Sequence, residues 1–235
     1  MKLKLKILYE DNHLIVIEKM PGILSQADQT GDHNMVDLIK EYFRQKYDKP
    51  GNIYLGLVQR LDRPVGGIMV FAKTTKSFTR LQSQMKARTI DKMYLALSSY
   101  APPLKEGELV HYLLKDQDTN HTTVYETEQP GSKLSKLFYK LIGSKEGKYL
   151  FQVKLITGRS HQIRAQMAYI GCPLVADVKY GRQLTKPAYD LCLYAYYLSF
   201  EHPTLKTVMH WTYLPKVRGY WTGMEEFFPV QNLNE

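Results

Sequence analysis

The stretch Gln59-Arg60-Leu61-Asp62-Arg63 sets one carboxylate between two guanidinium groups, with Pro64 and Gly66-Gly67 just behind it. Positive charge beside a carboxylate favours the ionised form. An ionised, positioned acid can act as a nucleophile, a base or a stabiliser of positive charge. The plainer alternative is an aspartate that caps the turn Arg63-Pro64-Val65-Gly66 and pairs with an arginine for stability alone. A second cluster runs through Thr157-Gly158-Arg159-Ser160-His161-Gln162-Ile163-Arg164. Thr157-Gly158 breaks a strand, Ser160 is placed to cap the helix that follows, and Arg159, His161, Gln162 and Arg164 crowd its first turn. Helix N-termini favour acids, so these cations oppose the dipole unless an internal carboxylate or a bound phosphate offsets them. His161 and Arg164, three apart, share a face. In a third cluster, Asp91-Lys92-Met93-Tyr94-Leu95-Ala96, strand alternation puts Lys92 and Tyr94 on one side and Met93 and Leu95 on the other. Tyr94 is then either an ordinary strand tyrosine with its hydroxyl at the rim or a platform for a flat ring.

The elements that must position these groups are readable from apolar spacing. HLIVIEK is rich in β-branched residues and ends at Met20-Pro21-Gly22, which predicts a strand and a turn. Met35, Leu38, Ile39 and Phe43 recur at helical spacing over 34–47. GGIMVFAKT reads as a buried strand, and Thr74 or Thr75 then caps a helix with Phe78, Leu81 and Met85 inside, ending near Arg88. KMYLALSSY and the segment 133–156, broken at 143–147, read as strands of a meander or hairpin. SHQIRAQMAYIG is the next helix, with Ile163, Met167 and Ile170 on one face and Gly171 as its stop. LYAYYLSF and TVMHWTY return to strand, and the polar stretch 116–131 is a long loop or a loosely held hairpin. Strands and helices mix without regular alternation. The expectation is an α+β fold: one domain over 1–235 with a mixed, largely antiparallel central sheet and flanking helices.

The net charge of +9 and the eighteen tyrosines suit a polyanionic partner with exposed bases. Cys172 and Cys192 are too few and too far apart for a disulfide framework or a zinc site. No apolar run has transmembrane length and the N-terminus does not read as a secretory signal, so cytoplasm is expected. The chain carries no GxxxxGK, GxGxxG or HExxH motif, and His111, His121, His202 and His210 are scattered. A glycosidase would want a second carboxylate across the scissile bond, whereas these clusters give Asp62 only basic partners.

In this order the clusters resemble the RluA-type family of RNA pseudouridine synthases. QRLDRPVGGIMVFAKT is similar to its HRLD-x-x-(T)SG-L-hydrophobic-AKT signature, KMYLA to K-x-Y-x-A, and LITGRSHQIR to L-x-TGR-x-HQIR. YEDNHLIVIEKMPGILSQ, GCPLVADVKYG and LYAYYLSFEHP match three flanking segments, so the likeness runs from about Leu8 to Pro203. The resemblance implies a basic catalytic cleft where the sheet splits, in a stand-alone catalytic domain without an S4-type domain. It implies isomerisation of uridine to pseudouridine in structured RNA, ribosomal or transfer, without metal or organic cofactor; separately, a monomer is expected. Asp62 would drive detachment of the uracil, Arg60 would fill the space left by the flipped nucleotide, and Tyr94 would stack on the uracil. Arg164 would pair with Asp62, Ile163 would line the base pocket, and Arg159, His161 and Gln162 would contact substrate. Three positions depart from the pattern: Gln59 stands for the usual His, Gly66 where Ser is common, and Ala176 for a Gly before Asp177. The alternative they keep open is an RNA-binding protein that retains the fold without turnover.

Overall fold

The computed structural model describes residues 5–48, 51–181 and 191–229. Strands β1 (Lys6–Glu10) and β2 (Leu14–Lys19) form an antiparallel pair, and every residue of β2 is buried. The alternation along β2 explains that burial. Ile15 and Ile17 face one apolar layer, while Leu14 and Val16 face another on the opposite side of the sheet. Helix α1 (Met35–Tyr47) is capped by the Asn34 side chain, which accepts from the Asp37 amide, and lays Met35, Ile39 and Phe43 on the first layer. After β3 (Gly56–Leu57) and the fully buried β4 (Gly66–Ala72), helix α2 (Thr75–Ala87) covers the second layer through Leu81. Its cap is Thr74, not Thr75.

The rest of the chain builds outwards from β5 (Asp91–Ser98). It adds β6 (Glu106–Lys115), β7 (Thr122–Tyr125), β8 (Lys133–Lys145), β9 (Lys148–Leu155), helix α3 (Gln162–Tyr169), β10 (Leu193–Glu201) and β11 (Val208–Thr212). The eleven strands make one sheet in the order β1-β2-β4-β10-β5-β9-β8-β6-β7, with β11 on β10 and β3 on β4. The fold is therefore α+β with a mixed, largely antiparallel sheet, as the pattern predicts.

Among the described strands, β4–β10 is the one parallel pair, and it is short: Tyr194 faces Gly66 and Ala195 faces Gly67. Gly67 has φ +126°, and a Cβ there would run into the Ala195 backbone, so only glycine permits this approach. The two halves of the sheet thus meet at the end of the turn that carries Asp62.

Some local expectations are corrected, and one open alternative is resolved. The break expected at 143–147 shrinks to a two-residue turn with positive φ at Glu146 and Gly147, which matches the twist of β8 and β9. Gly143 stays inside β8 at a bulge, where the Phe227 ring fills the space a side chain would need. Residues 116–131 hold the hairpin, the second of the two forms expected there: β7 pairs with β6, and the Asp116 carboxylate accepts from the amides of Asp118 and Thr119 in the turn. Helix α3 starts at Gln162, with His161 rather than Ser160 at the cap position. It is also buried on every side over Gln162–Met167, so Ile163 and Met167 mark no single apolar stripe.

Candidate active site

The turn that presents Asp62 is held from both sides. The Val65 amide donates to the Asp62 carbonyl at 3.0 Å, so the backbone closes the turn without help from the side chain. One residue upstream, the buried Ser25 hydroxyl donates to the Leu61 carbonyl at 2.7 Å and accepts from the Leu61 amide at 3.0 Å. One residue downstream, the Arg63 carbonyl accepts from the Gly22 amide at 2.8 Å and from Lys19 Nζ at 3.0 Å. The same ammonium, fully enclosed, donates to Ile23 O at 2.6 Å and to Met20 O at 3.2 Å. Burial pushes Lys19 down to about 7, with the Asp62 charge opposing that shift and Arg63 adding to it. The chain on either side of Asp62 has little freedom left.

The carboxylate is consequently free to look outwards. Asp62 Oδ2 accepts from Arg164 Nη1 at 3.1 Å, across 102 residues of sequence. Among the described residues Oδ1 takes no hydrogen bond, and the side chain keeps 29% exposure against 6% for Arg164. Arg164 spends its fork elsewhere. Nε and Nη2 each donate at 2.8 Å to Asp177, whose side chain is fully buried. Burial works against the guanidinium charge, but Asp177 and then Asp62 outweigh it and hold Arg164 above its ordinary range. Burial likewise pushes Asp177 up, and Arg164 with the amides of Tyr180 and Lys179 carries it below the usual carboxylate range. Two carboxylates are the anion that the cation-rich start of α3 requires.

His161 approaches from the same turn. Its Nδ1 lies 2.8 Å from the Tyr180 hydroxyl, whose oxygen accepts from the Thr122 amide at 2.8 Å, and its Nε2 lies 3.8 Å from Asp62 Oδ2. A Tyr180 hydroxyl that donates to Nδ1 would put the ring N–H on Nε2, facing the carboxylate. Burial pushes His161 down to about 4, against the pull of Asp62 and with a further push from Arg164 and Lys179. The imidazole is therefore neutral near pH 7. Tyr180 also stacks under Arg164, 5.2 Å from ring centroid to Cζ.

Tyr94 completes the floor. It is 7% exposed in the first apolar layer with Leu61, Val65 and Ile163, and its hydroxyl makes no hydrogen bond among the described residues. Burial and then the Asp62 charge raise its pKa, so the phenol keeps its proton. Ile163 is 4% exposed in that same layer. Gln162 is turned inwards. Its Oε1 accepts from Thr157 Oγ1 at 2.8 Å and from the Arg159 amide at 3.0 Å, and its Nε2 donates to Lys136 O at 3.1 Å. Arg159 donates from Nε to Leu134 O at 3.1 Å. The two guanidinium groups beside Asp62 in sequence are not its hydrogen-bonded partners. Arg63 donates to Gly22 O and pairs with Asp32 at 2.7 Å, while Arg60 is exposed with no ion pair among the described residues.

A model of the family described as RNA pseudouridylate synthase matches residues 13–169, two-thirds of the chain. The chain belongs to the RluA-type RNA pseudouridine synthases. An uncharacterized RNA pseudouridine synthase of Helicobacter pylori is 30% identical over 99% of this chain and 73% of that protein. Ribosomal large subunit pseudouridine synthase D of Pseudomonas aeruginosa is 28% identical over 89% of this chain and 68% of its own length. Synthase C of Buchnera aphidicola is 32% identical over 75% of this chain but 54% of its own. Human RNA pseudouridylate synthase domain containing 4 shares the fold at TM-score 0.74 and 21% identity, covering 90% of this chain and 89% of that one.

In this synthase the departures from the family pattern have local reasons. Gln59 donates from Nε2 to Ile68 O at 3.3 Å and so ties the Asp62 loop to β4. A Cβ at Gly66 would lie 2.8 Å from the Tyr194 ring and 3.0 Å from Pro21, so the tyrosine occupies the room a serine would use. Ala176 takes φ +60°, the left-handed conformation that a glycine adopts without penalty. Sequence reasoning missed Asp177, Tyr180, Ser25 and Lys19, although the flanking segments that carried the resemblance contain all four. A signal for Asp177 was present: the cations opening α3 demanded an anion, and one carboxylate could not fill a guanidinium fork and also stay reactive.

Proposed function

We propose that this synthase modifies specific uridines in structured RNA, with Asp62 as the essential group and the target nucleotide turned out of its stack. The observation that carries this reading is the division of labour at Asp62: Oδ2 is tied to Arg164 while Oδ1 stays open on a partly exposed side chain. Isomerisation breaks the N1–C1′ bond, turns the base and joins C5 to C1′, while C5 gives up a proton and N1 gains one. Asp62 supplies negative charge for the detachment, by adding to the sugar or ring or by taking a sugar proton. Arg164 and Asp177 hold that carboxylate still, which spares the reorganisation a solvated acid would need. Tyr94, protonated and unpaired, offers a flat face and a hydroxyl to the everted pyrimidine.

Exposed Arg60 stands ready to fill the vacated stack, and Arg159 offers its free guanidinium edge to the RNA backbone. His161 and Ile163 border the base, and Gln162 acts by holding the Thr157–Arg159 turn. The cleft between these groups lies where β4 and β10 part, within one catalytic domain. Relatives such as synthases C and D are named for the large ribosomal subunit, which favours ribosomal over transfer RNA as the substrate. Deleting the gene and mapping pseudouridines across the stable RNAs tests the reading. A position that loses its modification, and regains it only with a gene encoding Asp62, identifies the target. An unchanged map contradicts the proposal.

A further inference from the structure

We infer that Lys92 is a binding site for a backbone phosphate of the substrate RNA. The inference rests on the synthase reading above and names a contact that reading does not assign. Three lysine or arginine side chains are buried among the described residues: Lys19, Lys92 and Arg164. Lys19 has three carbonyl acceptors and Arg164 has two carboxylates. Lys92, 9% exposed, has neither a hydrogen bond nor an ion pair among the described residues. Its sequence neighbour Asp91 does not serve, because that carboxylate pairs with Lys154 at 2.9 Å. A buried ammonium without a counter-charge is costly unless an anion reaches it. Burial alone lowers Lys92, with no charge to hold it up.

The ammonium is reachable. Among the described residues the one fully enclosed side-chain polar atom without a partner is Gln166 Oε1, so Lys92 Nζ keeps contact with solvent. The opening lies beside Gly158, where a Cβ would come within 3.8 Å of Nζ. Gly158 is exposed and its φ is not positive, so the backbone makes no demand for glycine there. What the missing side chain leaves is space over the ammonium. Lys92 shares a strand face with Tyr94, two residues along β5, and Gly158 leads directly into the turn that carries Arg159 and His161. An RNA strand bringing a uridine to Tyr94 and Asp62 carries its phosphates past this position, and a phosphate supplies the negative charge that the protein withholds.

The test uses the full chain with Lys92→Met, which keeps the buried stem, and Lys92→Arg, which keeps the charge. The probe is the unmodified transcript around the uridine identified by gene deletion, titrated across a range of salt. Lys92→Met is expected to weaken binding by about tenfold near 0.1 M salt and to flatten the plot of log affinity against log salt by about one phosphate contact. Its KM should rise with the dissociation constant, and Lys92→Arg should restore the slope. A Met variant with the wild-type slope and affinity overturns the inference. So does one that melts lower with an unchanged slope, since that marks a structural lysine. Wild-type protein that leaves the transcript unmodified overturns the synthase reading instead, and the slopes still judge Lys92.

Discussion

The Arg164 guanidinium reaches Asp62 Oδ2 at 3.1 Å with one nitrogen because Asp177 has already engaged the other edge at 2.8 Å. Asp177 is the anchor and Asp62 the working end. Replacing the anchor leaves a buried cation half-neutralised, a change that typically costs about 3–5 kcal/mol. Asp177→Asn should therefore lower stability by about 3 kcal/mol and slow a single turnover by about tenfold. Thermal melts and single-turnover assays read the two effects, and a variant with wild-type rate and stability removes Asp177 from the site.

Ser25 tests whether the backbone clamp matters to the chemistry. Its hydroxyl makes both bonds to Leu61, so Ser25→Ala leaves a buried amide and carbonyl without that partner. The expected cost is about 2 kcal/mol. The telling measurement is the split between binding and rate: RNA affinity should hold while single turnover slows. Loss of affinity with an unchanged rate would mean that the clamp shapes the RNA surface, not Asp62.

His161 makes acid stability a readout of the site. The buried imidazole titrates near 4 in the folded protein and at its ordinary 6.5 when unfolded, so the unfolded chain binds more protons between those values. Stability is unaffected by this group above about 6.5, falls as pH drops through that window, and has lost the whole contribution below about 4. His161→Gln should flatten this acid limb. Melting temperatures at pH 7 and pH 5 decide it: the wild type should lose more on acidification than the variant, and parallel losses would mean that His161 is not held neutral.

Ala176→Gly should stabilise the protein by about 1 kcal/mol, because glycine takes φ +60° without the Cβ penalty. Denaturant midpoints compared at equal slope measure this directly. A loss of stability would show that the alanine methyl packs well enough to outweigh its strained backbone.

Much of this molecule was legible because its local signals agree. The β-branched run in HLIVIEK, the helical spacing of Met35, Ile39 and Phe43, and the Thr74 cap each point to the element that forms. The start of α3 was misread because Ser160 looks like a cap, whereas Gln162 satisfies the Arg159 amide from inside the helix and His161 turns the chain with φ +52°. Propensity does not show a side chain reaching backwards. Sequence neighbours also misled: Arg60 and Arg63 flank Asp62, yet the cation that bonds it comes from α3. Chain order shows which charges are near in sequence, and only tertiary packing decides which of them face one another. Arg164 pairs with Asp177 thirteen residues on, just past a left-handed bend at Ala176 that no periodicity reports.

Purified protein and its Asp62→Asn variant, incubated with RNA from a strain lacking the gene, test the role of this carboxylate most directly. Wild-type protein should restore pseudouridine at its target. The Asn variant should still fold and bind RNA like the wild type while leaving that uridine unconverted. Conversion by the variant at the wild-type rate would contradict catalysis by Asp62.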